Sequence, residues 1–213
     1  MAQPDRLVVR LAETTIGCYA GFGLGVVLMH VLRPDYAPAS HMISDYAVGA
    51  WSPVMTGAFV CAGLGCLTLA LALLRHRPAT IAGWLATALL GVGWIGLFVT
   101  AVFPTDPPGT PSTTSGDIHD ISFLVNVGSL VLTAVLIGVV SMRDERWRAH
   151  RPLAVGLALL LMLALIVQFK TLHRGMPYGL ANRFFVAVMV TWFVVTAMRL
   201  RRLGLSGGVP SST

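Results

Sequence analysis

The chain has 213 residues, of which 55% are hydrophobic and 11% charged, with a mean hydropathy of +0.76. That balance excludes an ordinary soluble domain and describes a polytopic membrane protein. The net charge of +6 and pI of 9.9 do not indicate nucleic acid, because no basic run is interleaved with base-stacking aromatics; the charge is a topology and anionic-lipid signal.

Six apolar stretches follow one another, at roughly 15–32, 54–74, 79–103, 118–141, 153–169 and 184–200. Each is close to the ~20 residues that cross a ~30 Å hydrocarbon core as a helix. Backbone groups in lipid must be satisfied internally and no strand-like alternation is present, so the expected fold is all-α, a six-transmembrane-helix bundle with short loops. The first stretch reads as a mature helix rather than a signal peptide, since its small residues lie inside it and a polar loop follows. Residues 1–203 form one expected domain, and 204–213, rich in Gly and Ser, read as a disordered cytoplasmic tail.

Cys18, Cys61 and Cys66 fall within spans, where they act as small packers rather than as a disulfide or metal framework. Small residues at four-residue spacing mark three close-packing faces: Gly17, Gly21 and Gly25; Gly57, Cys61 and Gly65; Gly83, Thr87 and Gly91. Tight packing within the bundle is the first reading of these faces, and a homo-oligomer or a membrane-protein partner is the alternative.

The arginines orient the bundle. Arg6, Arg10, Arg75, Arg77, Arg143, Arg146, Arg148, Arg151, Arg199, Arg201 and Arg202 gather at one end, against Arg33, Lys170, Arg174 and Arg183 at the other. The positive-inside rule then predicts that both termini are cytoplasmic. The opposite, outer end carries His30, His41, His119 and His173 together with Asp35, Asp45, Asp106, Asp117 and Asp120. Ionisable groups at membrane depth persist where partners or function hold them, so this end is the candidate site.

In the first outer loop, His41, Ser44 and Asp45 are spaced to share one face of a short interfacial helix, or Ser44 and Asp45 simply cap a turn. Ser52-Pro53 reads as an N-cap followed by a first-turn proline that opens the second span. Phe103-Pro-Thr-Asp106 leads through a polar loop to Asp117-Ile-His119-Asp120 at the start of the fourth span, where Asp117 is read as an N-cap. At 100° per residue His119, Ser122, Asn126, Ser129 and Thr133 share one sector while Asp117 and Asp120 point elsewhere. Such a stripe is either interhelical glue, worth about 0.6–2 kcal/mol per hydrogen bond, or the wall of a cavity. In the last outer loop Arg183 opens the sixth span, where a cation opposes the helix dipole; Asp106, Asp117 or Asp120 are its expected partners, and snorkelling to the headgroups is the alternative.

Ser44-Asp45-Tyr-Ala-Val-Gly49, Phe103-Pro-Thr-Asp106, Gly116-Asp117-Ile-His119-Asp120 and Gly179-Leu-Ala-Asn182-Arg183, in this order around six spans, resemble the DUF998 family of uncharacterised bacterial membrane proteins. The family's SELG-like string is matched here around Asp45, and Asn182-Arg183 stands where an acid-arginine pair is usual. More remotely, Phe-Pro ahead of a helix-opening His is similar to the Frag1/DRAM/Sfk1 proteins, some associated with lipid-anchor remodelling. The resemblance implies a six-span fold in the bacterial cytoplasmic membrane and an outer-face site, with no established reaction.

The favoured function is binding or transport of a lipid-like or small molecule, a membrane lipid being the expected partner, through His30, Ser44, Asp106, Asn126, His173, Asn182 and Arg183. The alternative is a metal-dependent or acid-base hydrolase of a lipid or lipid-linked substrate. There Asp45, Asp117, His119 and Asp120 are the catalytic candidates, and His41, His119 and His173 the candidate ligands of a zinc with an open water position. Haem is disfavoured, because no pair of helices each supplies a His pair; His30 and His119 would have to serve as axial ligands.

Overall fold

Local signals set where each helix begins. In the computed structural model, which describes residues 3–77, 80–107, 109–173 and 175–207, Asp5 opens α1 (Arg6–Leu32) by accepting the Val8 N–H at 3.2 Å. Thr80 and Thr113 cap α3 (Ile81–Val102) and α4 (Thr114–Ser141) in the same way, accepting from Gly83 at 3.1 Å and Gly116 at 3.2 Å. Prolines in the first turn start α2 (Ser52–His76) and α5 (Arg151–Lys170), and α6 covers Tyr178–Leu205. Short 3₁₀ helices, Ile43–Ala47 and Glu145–His150, precede α2 and α5.

All six expected helices are present, each long and apolar enough to cross a membrane. Several starts differ from the sequence reading. Ser52 is the first residue of α2 and not its cap; Trp51 is, in a left-handed conformation at φ 66° with no side-chain cap bond. Asp117 lies inside the first turn of α4, because Thr113 caps the helix four residues earlier. At the other end α6 runs through Gly204 to Leu205, two residues into the segment expected as a tail, and 208–213 lie outside the described residues.

Each helix packs against the next, and α6 returns to α1, closing a ring; α2 and α6 also meet across it. The central helices are those with the most buried spans, 56% for α2 and α4 and 50% for α6, against 22% for α1 and 28% for α5. Tyr19 of α1 stacks on Phe193 of α6 with centroids 4.3 Å apart, and Trp192 meets Phe193 edge-on. Of the three glycine faces, Gly25 approaches Ala58 and Gly65 approaches Tyr19, whereas Gly17, Gly57 and Gly91 face open space. The outside of the ring is apolar, with Leu24, Val31, Ile81, Ile95, Leu159 and Ile166 all exposed, as lipid contact requires.

Both described ends of the chain lie at one end of the ring. Asp5 N–H donates to Gly204 O at 2.9 Å, its carboxylate pairs with Arg75 at 3.0 Å, and Arg201 pairs with Glu13 at 2.8 Å. The described residues of the loops 33–51, 103–113 and 171–177 occupy the other end, here the loop face, and it is there that the polar residues gather.

Candidate functional site

The first loop is folded by two arginines. Arg33, only 9% exposed, donates to Asp35 at 2.7 Å and to the Val48 and Ala50 carbonyls at 2.8 and 3.3 Å, and lies 3.8 Å over the Tyr36 ring. This pairing holds the exposed Asp35 carboxyl below its usual range. From α6, Arg183 donates to His30 Nε2 at 2.8 Å, to Pro38 O at 2.9 Å, to His41 O at 2.6 Å and to the Tyr46 hydroxyl at 3.1 Å. Two neighbours on α6 complete the seam: Gly179 N–H donates to Ala39 O at 3.0 Å, and Asn182 Oδ1 accepts from Ile43 N–H at 3.0 Å. The Gly179-to-Arg183 string is therefore a latch for the first loop. The expected Asp-Arg clasp does not form, since no carboxylate among the described residues lies within 4.0 Å of Arg183. Carbonyl oxygens of the loop satisfy the cation instead.

Asp106 is used elsewhere. Its carboxylate accepts from Thr113 N–H at 2.8 Å and Thr113 Oγ at 2.7 Å, and Ser115 Oγ donates to Pro104 O at 3.0 Å, so the third loop is stapled to the start of α4. That staple brings Phe103 O to 2.8 Å from His119 Nδ1. A carbonyl can only accept, so Nδ1 carries a proton; in the neutral ring Nε2 is then the acceptor, and it has no protein partner among the described residues.

The polar sector of α4 is buried against α3, as its periodicity predicts. Ser122 and Thr100 hydroxyls lie 2.9 Å apart, Asn126 Nδ2 donates to Thr100 Oγ at 3.3 Å, and Thr133 Oγ donates to Ala86 O at 3.4 Å. The glue reading therefore covers much of the stripe. Asn126 Oδ1 remains: it is buried without a partner. Asn126 lines a cavity of about 70 Å³ together with Phe22, Phe59, Leu130, Phe185 and Asn182, while its Oδ1 packs against Gly96 of α3. On the loop face a groove of about 310 Å³ is lined by Ser44, Asp45, Thr105, Asp120, Phe169 and Leu172. Ser44, His119 and Phe123 line both spaces, so a wall one side chain thick separates them.

A sequence model described as "Protein of unknown function (DUF998)" matches residues 16–199, from the middle of α1 to the last turns of α6. The chain belongs to the DUF998 family. No curated protein and no solved structure matches it.

In this DUF998 protein the sequence candidates divide. Ser44, Asp45, His119, Asp120, Asn126 and Asn182 converge on the cavity and groove. The rest do not. His30 is consumed structurally, donating to Val26 O at 2.7 Å and accepting from Arg183, so neither nitrogen is left for a haem iron. His41 stacks on Tyr36 at 4.4 Å instead of sharing a helical face with Ser44 and Asp45. Asp117 is exposed and accepts from Ser112 at 2.5 Å, and His173 is exposed on the last loop. His41, His119 and His173 are not brought together, and among the described residues no group of three or more His, Cys, Asp or Glu is placed to hold a metal ion. The sequence reading missed Arg33, Tyr36 and Tyr46; a basic residue flanked by loop tyrosines was the available signal.

Asp45 sits in the 3₁₀ helix, 8% exposed, and accepts from Met42 N–H at 2.8 Å. Burial pushes its carboxyl above the ordinary 3.8, against the lowering effects of the Met42 N–H, His41, His119 and Arg183. A raised folded value means that the folded protein holds the proton more tightly. The stability contributed by Asp45 is then fully present below the ordinary carboxylate value and is lost as pH rises through the folded one. Asp45→Asn, which keeps the Met42 bond, is expected to flatten this part of the pH-stability curve and raise the melting temperature at pH 7. Thermal unfolding in detergent from pH 3.5 to 7 reads both effects; a variant that keeps the wild-type slope counts against a buried, charged Asp45.

Proposed function

We propose that this protein binds a lipid-like or small amphipathic molecule from the loop face of the bundle, its apolar part in the cavity and its polar end in the groove. The observation that carries this reading is the shared wall of Ser44, His119 and Phe123 between an apolar interior space and an acidic one open to the loop face. The groove reaches the size of ordinary small-molecule sites, about 300 Å³ or more. In the neutral ring His119 Nε2 is an acceptor without a protein partner among the described residues, and Asp45 and Asp120 add two carboxylates to the groove. The polar end of the ligand must therefore donate: an ammonium, amide or hydroxyl head. The arginine-rich end then faces the cytoplasm of a bacterial cell, as the positive-inside rule directs, and the groove takes its ligand from the outer leaflet or the extracytoplasmic side.

Photoactivatable phospholipids in proteoliposomes test this. A phosphatidylethanolamine probe is expected to label α4 and residues 43–47, a phosphatidylcholine probe without a donor head to label them far less, and His119→Ala to cut ethanolamine labelling about tenfold, the value of one hydrogen bond to a buried partner. Labelling spread evenly over the lipid-facing helices in both proteins would overturn it.

One observation favours a second reading, acid-base hydrolysis of such a lipid. The tautomer fixed by Phe103 O leaves His119 Nε2 able to take a proton from water in the groove beside Asp45 and Asp120. Released product from wild type, absent with His119→Ala while labelling by the probe persists in His119→Gln, would distinguish turnover from binding.

A further inference from the structure

The opposite end of the bundle holds a second recess, of about 160 Å³, between the start of α5 and the last turns of α6. Its walls include His150, Leu153, Met198, Arg199 and Arg202. Two of these present buried polar atoms with nothing to bond. His150 is 4% exposed and its Nε2 has no partner; Arg199 Nε is likewise buried and unpaired. Such groups are rare in folded proteins because each forfeits its hydration, and their presence together in one recess calls for a ligand.

Charge points to what that ligand is. Other arginines at this end have taken carboxylates: Arg75 with Asp5 at 3.0 Å, Arg146 with Asp144 at 2.8 Å, Arg201 with Glu13 at 2.8 Å. Among the described residues neither Arg199 nor Arg202 has a carboxylate within 4.0 Å, and Asp144, the acid whose charge Arg199 feels, is held by Arg146. The recess also lies at the N-terminus of α5, where His150 makes no side-chain cap bond, so the positive end of a helix dipole adds to the two guanidinium groups. Every polar element here is a cation or a donor in waiting, while Leu153, Val195 and Met198 supply an apolar flank.

We propose that His150, Arg199 and Arg202 form a site for a phosphate group, carried either by an anionic phospholipid or by a soluble phosphate compound. Arginine forks match two phosphate oxygens at once, and the neutral His150 ring, in its Nε2–H tautomer, donates to the bound anion and so gains the partner its buried Nε2 lacks. The site is distinct from the acidic groove in place and in sign, and does not depend on the reading given to that groove.

Thermal unfolding of the full chain in dodecyl maltoside tests it, with dioleoyl phosphatidylglycerol, dioleoyl phosphatidylcholine or inorganic phosphate added in turn. One phosphate-bearing anion is expected to raise the melting temperature saturably, with apparent affinity reduced tenfold or more in Arg199→Gln and in Arg202→Gln. Arg10→Gln, which removes the same charge from α1 at the same end, is expected to behave as wild type. Saturation by millimolar inorganic phosphate identifies a soluble ligand; a response to phosphatidylglycerol alone identifies a headgroup. His150→Gln should show the same loss, but should it fail to fold, the exposed Arg202 decides. No saturable response to either anion, or equal losses in Arg202→Gln and Arg10→Gln, overturns the site in favour of diffuse attraction between a basic surface and an anion.

Discussion

Gly179→Ala is expected to destabilise the protein by about 3 kcal/mol, the upper end of the range for overpacking. Gly179 lies in the first turn of α6, and a Cβ there would overlap the carbonyl oxygens of Pro38 and His41 and come within 2.9 Å of the His41 nitrogen. These are backbone atoms of a folded loop and have no rotamer to escape into. The same two carbonyls accept from Arg183, so any displacement that admits the methyl group also unseats the guanidinium. Gly116→Ala provides the comparison: its Cβ would strike the Asp106 carboxylate, a side chain that can swing away at the cost of its bonds to Thr113. Detergent melting curves should rank Gly179→Ala well below Gly116→Ala, with new protease cleavage between residues 33 and 51 in the former. A Gly179→Ala protein that melts as wild type does and keeps that loop protected would refute the latch.

The contrast between these two glycines shows where sequence reasoning stopped. Hydropathy found six spans because lipid imposes one rule on every backbone group, and helical period placed His119, Ser122, Asn126, Ser129 and Thr133 on a single buried face. Four-residue glycine spacing was less informative, since a repeat cannot say which helix it meets: Gly25 and Gly65 are in tight contact, Gly17, Gly57 and Gly91 are not. The close approaches that matter most, at Gly179 and Gly116, lie outside any repeat and are set by loop conformation. Arg183 shows the same limit. Its charge called for oxygen atoms, and the sequence offers carboxylates by name, whereas backbone carbonyls become visible as ligands only once a loop is folded. For His119 the sequence supplied depth and direction, and the proton's position followed only from Phe103 O. The site is thus half legible: the α4 stripe and Ser44-Asp45 were read from spacing, but the division of histidines into structural and available ones was not.

Arg183→Lys is expected to fail almost as badly as Arg183→Gln, with a loss of about 2–4 kcal/mol and the disappearance of ethanolamine-probe labelling. The argument is one of geometry rather than charge. Nε of Arg183 donates to His30, one terminal nitrogen serves Pro38, His41 and Gly179 carbonyls, and the other reaches the Tyr46 hydroxyl. Lysine keeps the charge but offers its donors from one point, so it can serve one of these three directions and leaves the others unmade; each bond to a charged group is worth about 1.5–3 kcal/mol when its partner is left without an alternative. His30 loses the donor to its Nε2, and the ring that lies 5.3 Å from Tyr46 is freed to turn. Because the carbonyls at risk belong to the loop that carries Ser44 and Asp45, the groove opens with it. Melting curves should therefore fall together with labelling in both variants, and neither loss should add to that of Gly179→Ala in a double variant, since all three remove the same latch. If Arg183→Lys keeps wild-type melting and labelling, charge alone suffices at this position, and the multi-directional seating of the guanidinium is incidental to both fold and site.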